Sequence, residues 1–150
     1  MGGNNQAATA EFIALLNARG INVFGSNISG VPPGTTLASL RSQLDGFTIS
    51  GINNVGGVIA DDGLLGTGNR ITIRSGDIEL TYTLVIFGDI TGTGQINSSD
   101  LLALRQHLLG TRILNGSFAA AADINRDGVT NSADLLIMRQ HLLGTREIVQ

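Results

Sequence analysis

The chain contains no cysteine, no tryptophan and no lysine, and only two prolines and one tyrosine. Without cysteine, disulfides and thiolate metal sites are excluded, while the cellular compartment stays open. All nine basic residues are arginine and the net charge is −3. They form no cluster of the kind that marks a nucleic-acid surface. No run approaches the roughly 18 apolar residues that a membrane span requires. The opening stretch from Met1 to Gln6 lacks the charged and apolar regions of a signal peptide. It reads as the end of a linker or as the edge of a piece cut from a longer protein. What is present is a chain of 150 residues, 42% hydrophobic and 14% charged, with 21 glycines. That suits one domain or two small ones, with tight turns and a core of Leu, Ile and Val.

One stretch organises the rest. Asp123-Ile-Asn-Arg-Asp-Gly-Val-Thr-Asn-Ser-Ala-Asp134 puts oxygen-bearing side chains at positions 1, 3, 5, 9 and 12 of a twelve-residue loop, with Gly128 at position 6. This is the ligand spacing of an EF-hand calcium loop, which serves a hard cation seeking six to eight oxygens. Asp123, Asn125, Asp127 and Asp134 are the candidate side-chain ligands, Val129 offers its carbonyl, and Asn131 acts directly or through water. The construction recurs 34 residues earlier, from Asp89 to Asp100. There the candidate ligands are Asp89, Thr91, Thr93, the Gln95 carbonyl, Asn97 and Asp100. Neutral hydroxyls replace two stronger ligands, so calcium is expected at two sites, the second being the stronger. Binding should be coupled to folding, because the ion ties together the ends of each loop.

Each loop is followed by a helical run that ends in Arg-Gln-His-Leu-Leu-Gly-Thr-Arg. Leu101, Leu104 and Leu108 share one face, as do Leu135, Met138 and Leu142, and these are read as core. Gly110 and Gly144 stand where left-handed helix caps belong. Ser98 and Ser99 lie two turns before Arg105 and Gln106, and Ser132 and Ala133 lie two turns before Arg139 and Gln140, so each set shares a face. A repeated polar face of this kind is read as a binding face. His107 and His141, paired by the repeat, are read as interface or surface residues.

Before the repeats, residues 7–19 suggest a helix with Phe12, Leu15, Leu16 and Arg19 on one face and Gly20 as its stop. A short strand over 21–24 follows. Pro32-Pro33-Gly34 makes a break, and Thr35 or Thr36 can cap a helix through about Leu44, striped by Leu37, Leu40 and Leu44. Strands are expected over 47–52, 71–74 and 78–87, the last two joined by a turn at Ser75-Gly76-Asp77. The glycine-rich stretch up to Gly68 yields no clear element. In the last strand one face alternates Ile78, Leu80, Tyr82, Leu84 and Ile86. The other begins polar and ends with Val85 and Phe87, a face covered only at its end. Only Gly88 separates Phe87 from Asp89, too little for a flexible linker, so the halves are expected to be held rigidly against each other.

The pattern Gly-Asp-x-x-x-x-Gly-x-x-Asn-Ser-x-Asp-Leu-Leu, the Leu-Leu-Gly helix ends and Ala-Ala-Asp-Ile-Asn-Arg-Asp-Gly resemble a type I dockerin over about residues 88–147. The resemblance implies two loop-helix (F-hand) repeats, 89–110 and 123–144, without the entering helix of a full EF-hand and joined by a short helix near 115–122. It implies calcium-dependent docking to a cohesin domain on a scaffoldin or cell-surface protein. Such docking occurs in bacterial extracellular multi-enzyme assemblies such as cellulosomes, which degrade polysaccharides. Partner-recognition positions of the family fall on Ser98, Ser99, Arg105, Gln106 and Gly110, and on Ser132, Ala133, Arg139, Gln140 and Gly144. The likeness of the copies implies two binding orientations related by about 180°. Residues 21–87 resemble the small β-rich X modules that precede dockerins, through Val31-Pro-Pro-Gly-Thr-Thr-Leu-Ala-Ser-Leu40 and Gly66-Thr-Gly68.

The expected fold is therefore α+β. It comprises a linker or helix over 1–20, a β-rich unit over 21–87 and an all-α dockerin over 88–150, monomeric when unbound and acting with neither nucleic acid nor membrane. No nucleophile and base come together in the pattern, and the chain is read as no enzyme. Two alternatives stand beside docking: a calcium-stabilised structural module, and a carbohydrate-binding accessory domain. A calcium sensor would want a Met-rich groove, and the chain has two methionines. A sugar platform would want exposed aromatics, whereas Phe12, Phe24 and Phe47 are read as core and Asp61-Asp62-Gly63 as a turn.

Overall fold

The computed structural model describes residues 2–150, and side chains from Thr9 onward. Met1, part of the stretch read as a linker end, lies outside the described residues. Among the described residues the chain is mixed α/β, with a five-stranded sheet and five helices. Helix α1 (Gly2–Ala18) opens it and breaks at Gly20, whose φ of +87° suits glycine. Phe12 and Leu16 are buried, but Leu15 points outward. Arg19, just past the helix, donates to the Asp45 carbonyl at 2.8 Å and lies over the Phe47 ring.

Strands β1 (Asn22–Phe24) and β2 (Asn27–Ser29) form a small antiparallel pair. Helix α2 (Leu37–Gln43) starts at Thr36, whose hydroxyl accepts the Ser39 N–H at 3.2 Å. Its Leu37, Leu40 and the capping Leu44 are all buried. Strands β3 (Thr48–Ile52), β4 (Arg70–Ser75) and β5 (Ile78–Leu84) make an antiparallel meander, and β2 joins β5 in parallel, giving the order β1-β2-β5-β4-β3. One sheet face turns Ile49, Ile71, Ile73, Tyr82 and Leu84 into a core shared with α1 and α2. The other carries Thr72, Thr81 and the Arg74–Glu79 ion pair, the alternation expected of a sheet covered on one side.

Three expectations need correction. Leu142, read as core, is 36% exposed, whereas its counterpart Leu108 is half-buried and packs against the core. Phe24 is not core: it is 38% exposed and stacks on Phe87 with centroids 6.4 Å apart. The last strand stops at Leu84 rather than Phe87, because after a final bond from Val85 to β2 the next amides find side-chain partners outside the ladder. Val85 N–H bonds to the Ile28 carbonyl at 2.8 Å and Ile86 N–H to the Thr67 hydroxyl at 3.0 Å. Phe87 N–H bonds to the Gln150 side chain at 2.7 Å. The alternation itself continues, and it divides the segment between two cores. Ile86 packs with the sheet core, while Val85 and Phe87 join a second core with Ile90, Ala103, Leu104, Ala121, Ile137 and Met138.

That second core lies among α3 (Ser98–Leu109), α4 (Gly116–Ala122) and α5 (Ser132–Leu142), with α3 packed on α5. Each long helix is followed by a tail pinned in the same way. His107 Nδ1 accepts the Leu114 N–H at 3.0 Å, and His141 Nδ1 accepts the Ile148 N–H at 3.1 Å. Leu114 and Ile148 are buried, so the paired histidines close turns rather than lie free on a surface. At the end of the chain Gln150 brackets Phe87, accepting from its N–H and donating to its carbonyl at 3.0 Å. Arg126 lies over the Phe87 ring and bonds to the Val149 carbonyl.

Gly88 joins the two cores. Its φ is +95°, and a Cβ there would fall 2.9 Å from Ile96 Cδ1 and 3.0 Å from Ile148 Cδ1. Gly88→Ala is expected to lower the unfolding free energy by at least about 1–2 kcal/mol, the cost of a left-handed L-residue before crowding is counted. Urea unfolding of the two proteins measures the difference.

Candidate functional site

Both twelve-residue loops are built by the same local rules. Position 9 of each, Asn97 or Asn131, is the N-cap of the following helix and accepts the N–H two residues on, at 3.0 Å from Ser99 and 2.9 Å from Ala133. Position 12, Asp100 or Asp134, reaches back to the N-cap N–H at 2.8 and 2.9 Å. This reciprocal capping box satisfies two orphan amides and sets a negative charge at the positive end of the helix. Position 1 accepts the amides of positions 5 and 6: Thr93 and Gly94 bond to Asp89, and Asp127 and Gly128 to Asp123. The chain therefore folds back over its first carboxylate in both copies.

The loops differ in what remains for a cation. In the second, carboxylate oxygens of Asp123, Asp127 and Asp134 all lie within 4.8 Å of one another. Three negative groups at that separation suit a hard divalent ion, and Asn125 stands beside them, bonded to Asp127 Oδ2 at 3.2 Å. Burial pushes the Asp123 carboxyl above its ordinary value; the Gly128 N–H opposes this and the Asp134 charge adds to it. Asp127 is open to solvent and held below the usual range by the Val129 N–H. Val129 turns its side chain outward, and the Asn131 side-chain oxygen is engaged in capping α5. Arg126, at position 4, sits at φ +60°.

The first loop has two carboxylates, both fully buried. Asp89 accepts three hydrogen bonds, from Thr93, Gly94 and the distant Thr67 N–H at 2.9 Å. Asp100 also accepts three, from Thr91 N–H, the Thr91 hydroxyl at 2.8 Å and Asn97 N–H. The Thr93 hydroxyl donates to the Gln95 carbonyl at 3.2 Å. The candidate ligands of this loop are thus gathered but largely bonded to one another. Burial raises the Asp89 carboxyl; the Thr67 and Gly94 amides oppose the shift, and Asp100 adds to it.

The candidate partner-binding residues lie on the outer surfaces of α3 and α5. Ser98, Ser99, Arg105 and Gly110 are exposed, and so are Ser132, Ala133, Arg139 and Gly144. Gln106 and Gln140 are half-buried, and the Gln140 side-chain oxygen is buried without a partner. Gly110 and Gly144 are left-handed at φ +77° and +78°. Sequence reasoning missed four leucines on these faces. Leu102 and Leu136 are 54% and 55% exposed, and Leu109 and Leu143 are 74% and 77% exposed. The near-identical values mean that the two copies present matching apolar spots flanked by arginine. The doublets Leu101-Leu102, Leu108-Leu109, Leu135-Leu136 and Leu142-Leu143 carried the signal: adjacent helical residues point 100° apart, and with Ala103, Leu104, Ile137 and Met138 filling the core-facing side, the second leucine of each doublet is turned outward.

Among the described residues no helix is long and apolar enough to cross a membrane. No match was found among curated proteins. Among solved structures, the chain is similar to the third cohesin ScaC in complex with the ScaB dockerin from Acetivibrio cellulolyticus, described as displaying a type I interaction. The identity is 27%, over 43% of this chain and 92% of that chain, with a TM-score of 0.41. The family model for the dockerin type I domain matches residues 87–143, a span that holds both loops, α3, α4 and α5. Residues 87–143 are a dockerin type I domain.

Proposed function

We propose that this chain is a non-catalytic docking module that binds a cohesin domain through α3 and α5 in a calcium-dependent way, anchoring its parent protein in an extracellular multi-enzyme complex. The observation that carries the reading is the matched pair of faces: exposed Leu102, Leu109 and Arg105 on one helix, Leu136, Leu143 and Arg139 on the other. Exposed leucines beside arginines are an unfavourable surface for an isolated protein. They are what a partner with an apolar patch and acidic rim would cover. Ser98, Ser99, Gln106 and Gly110, with Ser132, Ala133, Gln140 and Gly144, complete the two faces.

Calcium is the expected ion for both loops, with the second loop the stronger site because it offers three carboxylates against two. Bound there, the ion would neutralise charges that repel one another and hold the start of α5. The division into a sheet-bearing unit and a dockerin unit, docked rigidly near Gly88, belongs to the same reading. The sheet-bearing unit then takes in α1, whose Phe12 and Leu16 share its core.

Titration of the full chain with type I cohesins should give tight binding in calcium and none after chelation. Retained folding with no cohesin bound in calcium would sink the reading. The two faces can be separated by substitution. If either face can dock, Arg105→Ala with Leu109→Ala should weaken binding only about twofold, the statistical loss of one of two equal modes. The same pair at Arg139 and Leu143 should do likewise, and all four changes together should weaken binding by more than about 100-fold. If one pair alone abolishes binding, a single orientation is used.

Acid should act in opposite directions on the two metal states. In metal-free protein Asp89 and Asp123 hold their protons more tightly folded than unfolded. Their contribution to stability should therefore rise as pH falls from neutral through the raised folded values and level off below the unfolded value of about 3.9. With calcium present the same protons compete with the ion, so stability should fall over that window. Urea midpoints measured with and without calcium from neutral pH downward check both signs.

A further inference from the structure

The two loops share a plan, yet only the first is built into the other half of the molecule. Thr67, in the segment before β4, is fully buried, and each of its polar groups is bonded, the N–H across the junction and the others within the sheet-bearing half. Its N–H bonds to Asp89 at 2.9 Å, its hydroxyl exchanges bonds with the Ile86 backbone, and its carbonyl accepts from the Asn54 side chain at 3.0 Å. The Gly34 N–H bonds to the Gly94 carbonyl at 2.9 Å. Backbone meets backbone at three glycines. A Cβ on Gly66 would press on the Gly92 carbonyl and lie 2.9 Å from Gly94 N, and one on Gly94 would lie 2.6 Å from the Leu65 carbonyl. A Cβ on Gly92 would lie 2.7 Å from both Thr67 O and Asn54 Nδ2.

Position 4 makes the contrast sharp. Both loops turn left-handed there, at Gly92 with φ +79° and at Arg126 with φ +60°. The conformation alone therefore does not demand glycine in the first loop; the close approach of residues 64–69 does. We propose that these residues of the sheet-bearing half take over the organising role of the ion in the first loop. Its fold is then held without metal, and the metal dependence of the chain falls on the second loop. Asp89 obtains from Thr67 a third donor that Asp123 lacks, and the full burial of the Asp89 and Asp100 side chains excludes the water that would compete for those donors. The inference rests on the calcium reading above and assigns it unequally.

Amide hydrogen exchange on the full chain, with calcium and after chelation, tests it. Without calcium the amides of Thr91, Thr93, Gly94 and Asn97 should stay at least ~30-fold more protected than those of Asn125, Asp127, Gly128 and Asn131. Calcium should then raise protection in the second loop by ~10-fold or more and leave the first nearly unchanged. Gly92→Arg, which copies the second loop's residue, should cost the first loop its metal-free protection, with calcium restoring it; Gly66→Ala should act in the same direction. Equal loss of protection in both wild-type loops on chelation would overturn the inference while leaving the calcium reading intact. Absence of any calcium response in either loop would overturn the calcium reading and the inference with it. The wild-type comparison stands even if neither variant folds.

Discussion

A carboxylate buried in a polypeptide turn must be surrounded by donors or neutralised, and that demand shapes the lower half of this molecule. Asp89, Asp100, Asp123 and Asp134 each sit at a loop end where backbone amides converge. The amides at positions 5 and 6 wrap each loop around its first aspartate, and the capping box fastens its last aspartate to a helix start. The starts of α3 and α5 are fixed where those charges are satisfied, and the second core packs the two helices together. Burial costs a lone carboxylate several kcal/mol by usual estimates, so the donor count at each loop decides how much remains for an ion to do.

The duplicated sequence makes a controlled comparison inside one chain. The helix faces have stayed alike to within a few per cent in leucine exposure. The loops have diverged, one open to solvent and rich in carboxylate, the other neutral at two positions and sealed against the sheet-bearing half. Symmetry is thus kept on the surface proposed to meet a partner and lost where the chain meets itself. The histidine-closed tails add a second symmetric device, since Leu114 and Ile148 are drawn into the core by the same imidazole nitrogen.

Much of this could be read from the residues in order. The helix at Thr36, the turn at Gly76 and the convergence of Asp123, Asp127 and Asp134 follow from caps, glycine and ligand spacing, which are local in sequence. The alternation of residues 78–87 also foretold burial at Val85 and Phe87. What stayed hidden was long-range. Strand β2 is three residues long and owes its place to parallel pairing with β5, 56 positions away between Asn27 and Thr83. The glycine-rich stretch looked structureless because its job is close backbone approach, which leaves no periodicity. Thr67 has no motif at all; its role exists only once Asp89 arrives beside it.

Gly88 has one more implication. If the two halves are docked rigidly at this single-residue joint, as proposed, the sheet-bearing half has little freedom to swivel on the helices. If the two helix faces dock interchangeably as proposed, the choice of face becomes a choice of heading. The same partner would hold everything upstream of the joint pointing in one of two opposed directions, and a half-turn in the site would become a reversal of the cargo.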